Sequence, residues 1–176
     1  AWAHFRMEDM NGALGLLQNH VSPYFQDRYY PEAAMLRLYA LFMLCKFPDA
    51  TAQLDAFQVQ YRPQQNELLG VTALTNEDTF DQIRRHIGEG TSDLPKMVTL
   101  AFENEDRIKD SIGAVSSAES EIARLRNVSA NVFAQSAIEW VNARRSEIIQ
   151  TEGGRILKRV RKMEAELSEM IGNSDV

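Results

Sequence analysis

Displacing the N-terminal part of the chain against itself by 37 positions sets Trp2 on Tyr39, Ala3 on Ala40 and Phe5 on Phe42. The same shift sets Met10 on Phe47, Ala13 on Ala50, Leu17 on Leu54 and Tyr24 on Tyr61. Large residues meet large ones and alanine meets alanine. Self-similarity at such a period is the mark of stacked supersecondary units. Each unit alone has too little apolar surface to bury, so neighbours must pack on one another. Small residues such as Ala13 and Ala50 permit close approach of two helices, and the aromatic positions fill the wedge between units.

The second unit is the clearer one. Pro31 suits the first turn of a helix, where a missing N–H costs little. Glu32 follows, favourable beside a helix N-terminus. The helix then carries Met35, Leu36, Leu38, Tyr39, Leu41, Phe42 and Cys45. Pro48 and Asp49 suit the first turn of a further helix with Ala50, Leu54 and Phe57, which Tyr61-Arg62-Pro63 is expected to end. Ala34, Phe47, Ala50, Leu54, Phe57 and the closing Pro63 resemble the tetratricopeptide repeat, with Leu38 where that family prefers Gly and Cys45-Lys46 where it usually has Gly-Asp. The stretch from "YPEA" to "AFQVQYRP" looks most like repeats of bacterial cell-envelope proteins. The resemblance covers residues 1–63, and a different α-solenoid is the alternative reading.

Beyond residue 63, Asn66 to Leu74 reads as a short helix. Thr75 reads as an N-cap ahead of acidic Glu77 and Asp78. A helix with Phe80, Ile83 and Ile87 follows, stopped at Gly88-Glu89-Gly90. From Leu94-Pro95 onward, apolar residues recur at spacings of three and four: Met97, Leu100, Ile108, Ile112, Val115, Ile122 and Leu125. This predicts one long helix, a turn near Arg126-Asn127, and a second long helix through Val132, Phe133, Ile138, Val141, Ile148 and Ile149. That helix continues along Ile156, Val160, Met163, Leu167 and Met170, a spacing that suits a coiled-coil seam. Gly153-Gly154 is expected to interrupt it. The predicted fold is all-α: two repeats over 1–63, a degenerate repeat or linking helices over 64–91, and a long antiparallel hairpin over 92–176.

Composition narrows the function classes. With 44% hydrophobic residues a packed core is within reach. A net charge of −6 argues against broad affinity for nucleic acid, which relies on cationic contacts to phosphate. No apolar run approaches a membrane span. The chain opens at Ala1 with helical patterning, which reads as a piece of a longer protein.

Signals of chemistry are sparse. His4, His20 and His86 have no His or Cys at the next helical turn, so no metal-ligand pair is visible. His4, among apolar repeat positions, reads as a packed side chain. Cys45 reads as a protected residue on the packing side of its helix. Glu8-Asp9 reads as a turn, and the acidic run Glu103 to Asp106 as a solvated helix face. Gly153-Gly154-Arg155 with Lys158 lacks the pattern of a phosphate loop. Arg155, Lys158, Arg159, Arg161 and Lys162 form a basic cluster, read as a solvated face beside an acidic partner helix. Asn127-Val128-Ser129 is a formal glycosylation sequon.

These readings predict a non-enzymatic scaffold for protein–protein interaction, with other proteins as partners and no cofactor. Carried over from the tetratricopeptide resemblance, the binding face comprises Trp2, Phe5 and Arg6 of the first repeat. The second repeat adds Glu32, Met35, Tyr39, Phe42 and Met43. The alternative is a structural subunit of a large envelope complex that self-associates through the C-terminal hairpin. The resemblance implies the periplasm or cell envelope, with the cytoplasm as the other compartment.

Overall fold

The computed structural model describes residues 1–21, 29–127 and 132–174. Tyr24, and Val128 and Ser129 of the sequon, lie outside this set. Helices account for 87% of the structure, and no strand occurs among the described residues, so the fold is all-α. In chain order the helices are α1 (Trp2–Arg6), α2 (Met10–Leu17), α3 (Pro31–Met43) and α4 (Phe47–Thr72). They continue as α5 (Asn76–Glu89), α6 (Lys96–Phe102), α7 (Asp106–Asn127) and α8 (Val132–Ser174). A short 3-10 turn, Gln18–Val21, follows α2. The chain forms two compact units, Ala1–Leu69 with Lys162–Val176, and Gly70–Arg161. This grouping differs from the division at residues 63 and 91, because the last residues of α8 join the first unit.

In the first unit, the turn joining α1 to α2 and the turn joining α3 to α4 have the same backbone, 37 residues apart. After α1, the Glu8 N–H donates to Phe5 O and the Asp9 N–H to His4 O. After α3, the Cys45 N–H donates to Phe42 O and the Lys46 N–H to Leu41 O. This paired pattern closes a helix through a left-handed residue, and Glu8 (φ 61°) and Cys45 (φ 56°) occupy that position. Cys45 is therefore exposed rather than protected. The 3.6-residue spacing placed it on the packing side, but α3 ends at Met43 and the left-handed turn carries Cys45 off the helix. His4 is likewise no packed core residue. Its Nδ1 lies 2.8 Å from Asp9 Oδ2, while Asp9 caps α2 by accepting from the Gly12 N–H. A Cβ at Gly12 would run into the Asp9 carboxylate and the His4 ring and displace that pair.

The core of this unit repeats the small and large alternation of the sequence. Ala13 and Ala40 are fully buried, and Leu17, Leu36, Leu41 and Ala50 are buried in the same unit. Helix α4 buries Phe57, Tyr61 and Leu68. Phe57 and Tyr61 rings stand 4.8 Å apart, and Tyr29 meets Tyr61 edge-on at 6.3 Å. Pro63 does not end α4, which continues to Thr72. A proline inside a helix removes one donor and leaves the carbonyl four residues back unpaired. That residue is Val59, which is 79% exposed, so water can satisfy the orphan. The end of α8 packs antiparallel on α4: Gln65 Nε2 donates to Ser168 Oγ at 2.6 Å and Gln58 Nε2 to Ser174 Oγ at 3.4 Å. Leu167 and Ile171 are buried beside them.

In the second unit, Thr75 caps α5 by accepting from the Asp78 N–H, and Gly90 at φ 71° closes it. The expected single helix from Leu94 is broken into α6 and α7 at Glu103 to Glu105. α7 and α8 then form an antiparallel hairpin. Ile108, Val115 and Ile122, at a strict seven-residue spacing, are the buried residues of α7. Val115 joins Phe80 and Ile149 in one cluster, flanked by Ile112 and Ile148. Ile156 and Val160 are buried in this unit, whereas Met163 and Leu167, expected on the same seam, belong to the other. Gly153-Gly154 does not interrupt α8. A Cβ on Gly153 would collide with the Asn76 carbonyl oxygen, so this glycine lets the start of α5 approach α8.

Charged residues set the register of the hairpin. Glu119 accepts from both Arg145 and Arg84. Glu152, almost wholly buried, accepts from Arg107 Nη2 at 2.6 Å and Arg155 Nε at 2.8 Å. Glu105 accepts from Arg155 at 2.9 Å and from Arg159, whose guanidinium also lies over the Phe102 ring at 5.0 Å. The run from Glu103 to Glu105 is thus a turn rather than a helix face, with Glu105 held by Arg155 and Arg159 and Glu103 3.5 Å from His86, while Asp106 opens α7 as an exposed residue. Two members of the basic cluster, Arg155 and Arg159, are the cations that hold it, while Lys158 and Arg161 are exposed.

Candidate functional site

Among the described residues, no three His, Cys, Asp or Glu side chains are grouped to hold a metal. No helix among them is long and apolar enough to cross a membrane. The candidate sites are therefore concave surfaces and exposed apolar faces.

The first unit carries a groove of about 490 Å³ built from four separate stretches of chain. Leu17 from α2 and Pro31 and Leu36 from α3 form its buried floor. Trp2 of α1, half exposed, and Tyr29 and Tyr30 ahead of α3 form aromatic walls. Met170 of α8 adds a flexible apolar side chain, and two carboxylates, Glu32 and Glu166, complete the lining. The Tyr29 wall is held from behind. The Tyr29 hydroxyl donates to Met163 O at 3.2 Å. Burial holds the Tyr29 phenol well above its ordinary pKa, with the Tyr61 ring and the carboxylates of Glu166, Glu164 and Glu32 adding to the shift. Burial also pushes the Tyr61 phenol up to about 12, against a hydrogen bond from the Tyr30 backbone. Both phenols stay protonated at neutral pH.

Of the expected binding residues, the structure brings Trp2 and Glu32 into this groove. Phe5 stands outside it, edge-on to Trp2 at 5.9 Å, and Arg6 is exposed on α1. Met35 is a correction: at 6% exposure it belongs to the core and does not line the groove. Tyr39, Phe42 and Met43 are exposed at the far end of α3, where Phe42 meets Phe47 at 5.6 Å. Sequence reasoning missed Tyr29, Tyr30, Glu166 and Met170. The Tyr29-Tyr30 pair next to Pro31 was a readable signal. Glu166 and Met170 carry none, since they arrive from the opposite end of the chain.

The second unit has its own groove of about 530 Å³ between α7 and α8. Its charges are largely matched within the protein, Arg107 to Glu152 and Arg144 to Glu147, each at 2.6 Å. Close by on α8, Val132, Phe133 and Trp140 are 80%, 78% and 72% exposed. Phe133 and Trp140, seven residues apart, share one helix face. No model of a known protein family, no curated protein and no solved structure matches this chain.

Proposed function

We propose that the chain is a protein-interaction scaffold of tetratricopeptide-like kind, and that the groove of the first unit receives a segment of a partner protein. The observation that carries this reading is the groove itself: an apolar floor between aromatic walls, where repeat reasoning had independently marked Trp2 and Glu32. Its size falls within the range of pre-formed ligand sites. Stacked helical units present such concave surfaces without reorganisation, which limits the entropy lost on binding. Exposed aromatic residues at its edge are the side chains that most often dominate binding energy.

The test is selection from a random peptide display library against the whole protein. Binding is read by the fluorescence of Trp2 in a Trp140→Phe background, where Trp2 is the sole tryptophan. Selected peptides should shift that emission, and Trp2→Ala, followed by the fluorescence anisotropy of dye-labelled peptide because it removes the reporting tryptophan, should weaken them by about tenfold or more. Binders indifferent to both Trp2→Ala and Tyr30→Ala would move the interaction elsewhere and remove this reading.

A second reading, a structural subunit that self-associates through the hairpin, is favoured by the exposed face of Phe133 and Trp140. Solution mass across a concentration series distinguishes it. A rise in mass that Phe133→Ser and Trp140→Ser abolish supports assembly, and a constant monomer mass removes it.

A further inference from the structure

Resting on the groove reading above, we propose that the partner segment is basic as well as apolar, with a lysine or arginine side chain seated between the aromatic wall at Trp2 and the carboxylates of Glu32 and Glu166.

The lining contains two acidic side chains and no basic one. Glu32 sits in the first turn of α3 and has no ion pair among the described residues. Glu166 faces Lys162 at 3.5 Å, one helical turn away, in a pair whose side chains are 46% and 74% exposed. Exposed pairs of this kind contribute little, so a cation held against an aromatic ring can displace Lys162. Tyr29 reports the same field from inside the wall, since Glu166, Glu164 and Glu32 all act on its phenol in the same direction. An acidic segment entering here would leave its carboxylates beside two others, a repulsion that discriminates against it. The buried floor of Leu17, Pro31 and Leu36 requires apolar neighbours for the cation. A segment alternating aliphatic or aromatic residues with lysine or arginine meets both demands. The net charge of −6 adds long-range attraction for such a partner.

The probes are two synthetic peptides of about 15 residues with identical Leu and Tyr positions, one carrying Lys and the other Glu at every polar position. The lysine peptide should bind the parent protein at least about tenfold more tightly than the glutamate peptide. Its binding should weaken with added salt. The double variant Glu32→Lys/Glu166→Lys should lose that preference. The double variant Glu121→Lys/Glu139→Lys changes net charge by the same amount at exposed positions of the other unit, and should retain it. Unchanged melting temperatures establish that both variants fold. Equal affinity of the parent for the two peptides overturns the proposal, as does an equal loss in both double variants, which would mark a net-charge effect. Display-selected peptides that depend on Trp2 yet carry no basic residues would overturn this inference while leaving the interaction reading intact. If no peptide depends on either Trp2 or Tyr30, both fall.

Discussion

Glu8 and Cys45 hold a backbone conformation that side chains with a Cβ rarely adopt, and they hold it at equivalent places in two helical turns. The left-handed region costs a non-glycine residue roughly 1–2 kcal/mol, of which glycine's larger loss of chain entropy on folding offsets a part. Glu8→Gly and Cys45→Gly should each therefore raise stability by about 0.5–1 kcal/mol, while Cys45→Val should lower it, because a β-branched side chain fits this region worst. Denaturant melts of the three variants measure this, and a loss of stability in both glycine variants would contradict the turn geometry. The tetratricopeptide resemblance already held the clue, since its usual Gly-Asp falls on Cys45-Lys46. Helical spacing alone carried Cys45 one turn too far and put it in the core. Gly153 is the reverse case: the sequence pair Gly153-Gly154 reads as a helix break, yet its reason is contact. Gly153→Ala should cost about 1–3 kcal/mol by forcing α5 away from α8. Gly154→Ala meets only ordinary contact with the Asn76 side chain and should be neutral or gain up to about 1 kcal/mol of helix propensity. Equal melting temperatures for the two alanine variants would show that no close approach exists.

At the level of elements, the hairpin of α7 and α8 was readable because its apolar spacing is strict, and Ile108, Val115 and Ile122 are the residues it buries. Two boundaries were not. The break between α6 and α7 falls in a polar run without proline or glycine, and what holds it is Arg155 and Arg159 of α8, more than 40 residues away in sequence, on Glu105. The continuation of α4 through Pro63 depends on that residue facing solvent, which local sequence does not state. Glu152 is the central member of the arginine network. Burial by itself would raise its carboxyl pKa, but the hydrogen bonds and charges of Arg107 and Arg155 outweigh this and leave it below the ordinary value of 4.5. A carboxylate with a lowered folded pKa contributes stability above its unfolded pKa, and loses it as pH falls through the folded one. Glu152→Gln should accordingly cost about 1–3 kcal/mol near neutral pH. The gap from the parent should close as pH falls below 4.5. Glu119→Gln, at a site 38% exposed, should cost less than about 1 kcal/mol. Urea melts across the acid range test the contrast; a gap that stays constant down to acid pH would show that Glu152 is not ionised in the fold.

At the level of the whole molecule, the first unit draws on both ends of the chain, Ala1–Leu69 and Lys162–Val176. The 37-residue repeat made the helices of its N-terminal part legible, but not the segment that completes it. Periodicity identified Leu167 and Met170 as one face of a helix and was silent on which surface that face meets. Helix α4 buries Phe57, Tyr61 and Leu68 in the same unit in which α8 buries Leu167 and Ile171. The last turns of α8 pack on α4 through the hydrogen bonds of Gln65 with Ser168 and Gln58 with Ser174, with Leu167 and Ile171 buried in the same unit. Removing residues 162–176 should withdraw Leu167 and Ile171, each worth roughly 1.5–3 kcal/mol when fully buried. The hydrogen bonds that Ser168 and Ser174 accept from Gln65 and Gln58 go with them. Because both losses fall in one unit, the expected outcome is uneven. Amide hydrogen exchange should accelerate through α3 and the first half of α4, while α5 and the core of α7 around Val115 keep their protection. Uniform acceleration over all helices would mean that the chain unfolds as a single block, and unchanged exchange in α4 would mean that the α8 terminus is not part of that core.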